Sequence, residues 1–300
     1  MSPAAYTLVD PQTREMALTI SWFTDGSAFH TVGRYPYFSM LLVTRGAGSV
    51  VRDEATYTFR SGCLLCFALY QPFMVKADGE LEGVLINFHP SFFCLFKHRN
   101  EVSCNGVLFN NLYDTPVVEL PPGDLQSLVV IAEEITTEMR QRQEPDPDVL
   151  VSYLKIFLIN ASRAKMEQRR VEEGRQPEER QPDGLATKIP LSLEKLQNAI
   201  DTHFKTLRSP GDYGELLHIS PKALNKICKS YFHKTVGDLI AERLIIEAKR
   251  ELYLTARSVK EIAFGLGYAD EFYFSRYFKK KVGVSPQIFR DTVGFDRLNA

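Results

Sequence analysis

Eight residues near the C-terminus fall into two stripes fifty positions apart. Lys222, Asn225, Lys226 and Lys229 are spaced i, i+3, i+4, i+7, and Phe272, Ser275, Arg276 and Lys279 repeat that spacing. Each set therefore lies along one face of a helix. Ammonium and guanidinium groups bind phosphate oxygens, while amides, hydroxyls and the guanidinium fork meet base edges, so a helix with such a face fits the major groove of duplex DNA. Apolar residues stand behind each stripe, Leu224, Ile227, Cys228 and Tyr231 in the first and Phe274, Tyr277 and Phe278 in the second. A lone helix face with three lysines is ordinarily solvated surface. Two such faces in the same setting point to a bipartite DNA reader.

A helix that enters a groove needs a shorter one packed across it through a tight turn. In the second copy Ser258 can cap a helix from Val259 to Phe264, Gly265 to Tyr268 can make the turn, and Asp270 can cap the next helix. In the first, Ser209 or Asp212 opens a helix through Leu217, His218 and Ile219 turn, and Ser220 caps with Pro221 at the first helical position. The correspondence continues with Thr235 and Ser285, Val236 and Pro286, Leu239 and Phe289. Between the copies Val236 to Leu254 reads as one helix, about 28 Å long at 1.5 Å per residue. That is near the ~34 Å between successive major-groove faces.

With these residues in view, the run SVKEIAFGLGYADEFYFSRYFKKKVGVSPQIFR at 258 to 290 resembles the signature of the AraC/XylS family of bacterial transcription regulators. SPKALNKICKSYF and RLIIEAKREL resemble the rest of that family's DNA-binding domain, and the likeness covers about 110 residues. The resemblance implies two helix-turn-helix units joined by a long helix, and an activator or repressor working with RNA polymerase as a candidate partner. Groove-facing positions carried over are Lys222, Asn225, Lys226 and Lys229, then Phe272, Tyr273, Ser275, Arg276 and Lys279. The chain departs from the pattern in its first repeat: Cys228 stands where a core Phe is usual, Gly214 where Ala is usual, and His218 and His233 where Gly is common. A looser first unit is the expectation.

The net charge of −1 argues against nucleic acid until its distribution is seen. Residues 190 to 300 hold 18 Lys and Arg against 13 Asp and Glu, while residues 1 to 189 hold 18 against 24. The basic half carries the stripes, as phosphate binding requires. No apolar run reaches the ~18 residues of a membrane span, and Met1 to Ile20 lacks a basic start followed by an apolar stretch, so a cytoplasmic protein is expected. Five cysteines, Cys63, Cys66, Cys94, Cys104 and Cys228, sit in apolar surroundings as reduced thiols do. Cys63 and Cys66 spell C-x-x-C, a zinc or redox spacing, but CLLCFAL is strand-like, and residues three apart in a strand face opposite ways.

Residues 1 to about 120 read as short strands, Met40 to Thr44, Ser49 to Arg52, Thr56 to Phe59, Cys63 to Leu69, Phe73 to Lys76 and Val84 to Phe88, divided by Gly- and Pro-containing turns. Their layout is similar to the cupin-like barrel that many AraC/XylS regulators carry. His30, His89 and His98 are scattered without an H-x-H pair, so neither metal nor other cofactor is expected. Trp22, His30, Tyr35, Tyr37, Arg45 and His89 could line a pocket for a small-molecule effector. For each of them an ordinary place in the core is the competing reading.

Two amphipathic helices follow, residues 124–143 and 147–168, with apolar stripes that suit packing on the barrel or a homodimer contact. Arg169 to Lys188 is charged and poor in apolar residues, a linker with a reach of roughly 25 Å if flexible. The sequence thus describes an α+β chain. Residues 1–168 form a cupin-like β-barrel with a helical hairpin for sensing and dimerisation, 169–189 a linker, and 190–300 an all-α domain of two helix-turn-helix units joined by a long helix. The function expected is sequence-specific regulation of transcription on double-stranded promoter DNA, without catalysis. The alternative is a metal-independent barrel enzyme or small-molecule carrier with an appended DNA-binding domain.

Overall fold

The computed structural model describes residues 4–10, 14–52, 55–95, 107–109, 114–141, 145–174, 191–232 and 234–293. The chain divides into two compact units that change over between Val171 and Glu172.

Among the described residues the first unit begins with nine strands: β1 (Ala4–Val9), β2 (Met16–Phe23), β3 (Phe38–Arg45), β4 (Ala47–Arg52), β5 (Ala55–Arg60), β6 (Cys63–Phe67), β7 (Phe73–Ala77), β8 (Glu82–Phe88) and β9 (Val117–Glu119). They form two antiparallel sheets, ordered β1-β2-β8-β3-β6-β9 and β5-β4-β7. This corrects the expected barrel in one respect. Among the described residues the edge strands β1 and β9 pair only with β2 and β6, so no ladder closes the sheets into a barrel. The period-two pattern works as it should: Ala55, Tyr57 and Phe59 of β5 point inward while Thr56, Thr58 and Arg60 point out. They join Leu41, Val43, Leu65 and Val75 in one apolar core.

Register settles the cysteine pair. Cys63 pairs with Val43 and lies in that core, where burial raises its thiol pKa, whereas Cys66 pairs with Met40 three positions along and so faces the other way. Cys104 and His98 lie outside the described residues. Strands β1, β2 and β9 were not anticipated from the sequence.

Helices α1 (Pro122–Gln141) and α2 (Pro147–Gly174) complete the unit. Their stripes, Leu128, Ala132 and Ile135 on α1 and Leu150, Leu154, Phe157, Leu158 and Ala161 on α2, have no exposed surface. Lys165 is buried as well, and its Nζ donates to the Val117 carbonyl of β9 at 3.0 Å. Helix α2 continues to Gly174, five residues past Arg169, where the linker was expected to begin. Residues 175–190 lie outside the described residues.

The second unit is all helical: α3 (Leu191–His203), α4 (Pro210–Leu217), α5 (Pro221–Phe232), α6 (Val236–Leu254), α7 (Val259–Gly265), α8 (Glu271–Val282) and α9 (Pro286–Val293). Helix α6 has the bounds expected of the spacer and buries Leu239, Ile240, Leu244, Ala248 and Leu252. Ile245 is buried too, in place of the anticipated Ile246. Among the described residues no helix is long and apolar enough to cross a membrane.

Candidate nucleic-acid interface

Both repeats are built by the same local rules. Ser209 caps α4 in a capping box with Asp212, and Ser258 caps α7 in a capping box with Glu261. The hydrogen bonds to backbone N–H groups and serine hydroxyls favour the ionised carboxylates, so both acids are held below their ordinary pKa. Each short helix then ends in the same pair of hydrogen bonds. The Ile219 and His218 amides donate to the carbonyls of Gly214 and Glu215, and the Tyr268 and Gly267 amides donate to those of Ala263 and Phe264.

The left-handed position falls on Gly267 in the second turn, with φ +80°, and on His218 in the first, with φ 55°. A non-glycine residue thus takes this conformation, as the departure from the family pattern implied. The Gly214 departure has a local cause. The first turn reaches its next cap, Ser220, two residues after His218, whereas Asp270 follows Gly267 by three. In the shorter turn a Cβ at Gly214 would stand 2.8 Å from the Ile219 carbonyl oxygen and 3.2 Å from Pro221. His233 lies outside the described residues.

The second helix of each unit, α5 and α8, buries matching positions: Leu224 with Phe274, Cys228 with Phe278, and Phe232 with Val282. Phe232 takes the core position that the sequence reading gave to Tyr231, which is half-buried. Burial pushes the Cys228 thiol up to about 12. Ser220 and Asp270 accept hydrogen bonds from first-turn amides of α5 and α8.

On the opposite face Lys222, Lys226, Lys229, Phe272, Tyr273, Arg276 and Lys279 are all exposed. Phe272 shows 71% of its surface, and the Arg276 guanidinium reaches only as far as Asp270 Oδ2 at 4.0 Å. Ser275 is half-buried. Asn225 is half-buried too, and its Oδ1 accepts the Val236 amide at 3.0 Å, so it ties α5 to the first turn of α6. The i, i+3 spacing located this residue on the helix without revealing that tie.

Helix α6 is held along its length. Thr235 caps it in a box with Asp238, and buried Lys234 pairs with Glu242 at 2.7 Å. Arg243 spans α3 and α6, binding Asp201 at 2.8 Å with its guanidinium 4.1 Å from the Phe204 ring centre.

The six residues considered for an effector pocket do not form one group. Tyr35 and Tyr37 stack at 5.1 Å, with Tyr35 5.9 Å from Phe73, and burial raises the Tyr37 hydroxyl to about 12. His89 is buried, with Nδ1 2.6 Å from Ser91 Oγ. Trp22 is turned away from the space between the sheets. It pairs with Val84, in the row of Leu42, and its indole N–H donates to Thr136 Oγ1 on α1 at 2.9 Å. Arg45 ends β3, about 26 Å from Tyr37 at roughly 3.3 Å per residue, and pairs with Glu82 in solvent. His30 is exposed. Facing the space between the sheets instead is a row of Thr19, Asn87, Ser39 and Phe67, register partners across β2, β8, β3 and β6.

Two helix-turn-helix units on one supporting helix define the class of the second unit, and comparison with known proteins agrees. Residues 213–292 match the family model described as a helix-turn-helix domain. The chain is 37% identical over 85 residues to the HTH-type transcriptional activator Btr of Bacillus subtilis, covering 28% of this chain and 16% of Btr. It is 34% identical over 67 residues to the regulatory protein SoxS of Escherichia coli, covering 22% of this chain and 63% of SoxS. A longer match, 22% identical over 265 residues, takes in 87% of this chain and 86% of the HTH-type transcriptional activator RhaR of Cronobacter sakazakii. The chain thus spans less than two thirds of the length of Btr and of SoxS. Over the matched residues the chain is similar to HTH-type transcriptional activators and regulators.

Proposed function

We propose that the chain is a sequence-specific, DNA-binding transcription regulator whose activity is set by a small molecule in its first unit. The observation that carries this reading is the matched pair α5 and α8. Each is anchored by three buried residues at the same positions, each turns a basic face to solvent, and both are tied to α6. In this reading Lys222, Lys226, Lys229 and Lys279 grip phosphates. Phe272, Tyr273, Ser275 and Arg276 meet base edges, and Asn225 positions α5. No catalytic step is part of it.

The first unit is read as a cupin-like sensor. Support comes from the paired sheets and from Asn87, which is 7% exposed and whose Oδ1 has no hydrogen-bond partner among the described residues. A buried acceptor without a donor is costly, and a ligand N–H or O–H would satisfy it. Dimerisation would use the outer face of α2, where Ile156 and Met166 are exposed. Leu154 and Phe157, on the opposite side of α2, lie in the core. Double-stranded promoter DNA, a second copy and RNA polymerase are the partners of this reading.

The test is selection of duplexes from a random library by the full chain, followed by titration of the selected duplex and a scrambled one at several salt concentrations. Preference for the selected sequence, with affinity falling steeply as salt rises, is expected. Equal, weak binding to both would overturn the reading.

A further inference from the structure

Within the helical unit the two helix-turn-helix repeats touch at a place other than α6. Arg208, just before the cap of α4, sends its side chain into the turn of the second repeat. Its Nη2 donates to the Leu266 carbonyl, and its guanidinium lies 4.6 Å from the centre of the Tyr268 ring. Gly267 makes room for this approach. With φ +80°, a Cβ there would stand 2.3 Å from the Lys205 carbonyl oxygen and 2.9 Å from Arg208 Nη2. The Arg208 amide donates to Asp212 Oδ2 at 2.8 Å, and that carboxylate completes the cap of α4. One residue therefore joins the start of the first repeat to the turn of the second repeat.

The repeat shows that this is not a generic feature of the motif. Arg257 precedes Ser258 as Arg208 precedes Ser209, yet it binds Glu251 and the Glu261 carbonyl, both close to it in the chain. The segment carrying Arg208 is also anchored on α6, through Arg243 to Asp201 and Phe204. A second repeat joined only through the end of α6 could pivot about that end; a second, separate contact removes the freedom.

We infer that Arg208, seated against Gly267, fixes the distance and rotation between α5 and α8 and so determines the half-site spacing the protein accepts. It is a positioning residue, and this role rests on the DNA reading proposed above. One inserted base pair moves a half-site by about 3.4 Å and roughly 35°, which a rigid pair of helices cannot follow.

The experiment uses the full chain and its selected duplex, with zero or one base pair inserted between the half-sites, plus a single half-site. The wild type is expected to lose at least tenfold in affinity on insertion. Arg208→Met should lose threefold or less, with single half-site affinity unchanged. Arg208→Lys, which keeps the charge but lacks the planar fork, should fall between. Gly267→Ala, acting on the other side of the contact, should relax spacing as Arg208→Met does. Unaltered spacing preference in folded Arg208→Met and Gly267→Ala proteins would overturn the inference. So would failure of both to fold, since the contact would then serve the fold rather than the spacing. A wild type that selects no duplex would instead remove the proposed DNA reading.

Discussion

Cys228 and Phe278 stand fifty residues apart and hold the same buried position on α5 and α8, neither with any exposed surface. Phe278 meets the rings of Phe274 and Phe289 at 5.9 and 5.8 Å. The thiol offers far less surface to its unit, so equivalent truncations should differ in cost. Phe278→Ala is expected to destabilise the second unit by about 3 to 5 kcal/mol, and Cys228→Ala by less than about 2 kcal/mol. Denaturant melts of the two variants check this; equal losses would mean that the first core is not the more loosely filled.

Lys226 and Arg276 are equivalent on the exposed faces, but a guanidinium can hold guanine O6 and N7 together whereas an ammonium acts as a point charge. Arg276→Ala should cost about 1 to 3 kcal/mol on the selected duplex and flatten base preference at one position. Lys226→Ala should weaken all sequences evenly and lower the salt slope by about one unit. Titration of both variants against selected and scrambled duplexes separates the roles. An unchanged preference in Arg276→Ala would rule out base reading by that side chain.

Asn225 lies on the same helix face as Lys226 but is engaged by the protein. Removing its carbonyl leaves the Val236 amide, in the first turn of α6 and so without an intrahelical acceptor, unpaired. Asn225→Ala should destabilise the second unit by about 1 kcal/mol and reduce binding to selected and scrambled duplexes alike. Thermal melts with parallel titrations test it. Loss of sequence preference at unchanged stability would make Asn225 a base-reading residue.

The capping carboxylates Asp212 and Glu261 are held below their ordinary values of 3.8 and 4.5. With the folded pKa depressed, the stabilisation is complete above the unfolded values and lost as pH falls through the folded ones. The melting temperature of the second unit should hold from pH 7 to about 5 and then drop, and the drop should be shallower in Glu261→Gln. A wild-type acid slope retained in that variant would show that Glu261 contributes nothing to it.

Residues 185–300 expressed alone should fold cooperatively and bind the selected duplex with a salt slope close to that of the full chain. A folded fragment with no affinity at low salt would show that the second unit needs the first.

Helices α5 and α8 were legible because everything that makes them is local: a cap, a turn, and period-3.6 apolar positions within twelve residues. Helix α6 could be read for the same reason. Long-range pairing was less visible. Strand β9 has three residues and gains its place by pairing with β6, more than fifty residues away. Trp22 shows the limit for a site. In a strand neighbouring side chains face opposite ways, so composition nominated it for a pocket while register gave it to α1. Asn87, flanked by the apolar Ile86 and Phe88, resembled ordinary core, and its unpaired oxygen emerges only with three-dimensional packing. Arg208 was hidden likewise, since its partner carbonyl is 58 residues on.

The contrast between Arg208 and Arg257 bears on how such a duplicated domain can change over time. The two recurring helices α5 and α8 match in their buried positions, Leu224 with Phe274, Cys228 with Phe278 and Phe232 with Val282. The joint is asymmetric: one arginine reaches across and its counterpart stays at home. A chain carrying two copies of the second repeat would lose its brace if Arg257, in the first position, kept its bond to the Glu261 carbonyl of its own helix. The repeats share their buried helix positions but not their joint, and drift in one is constrained by the other where Arg208 meets the Leu266 carbonyl.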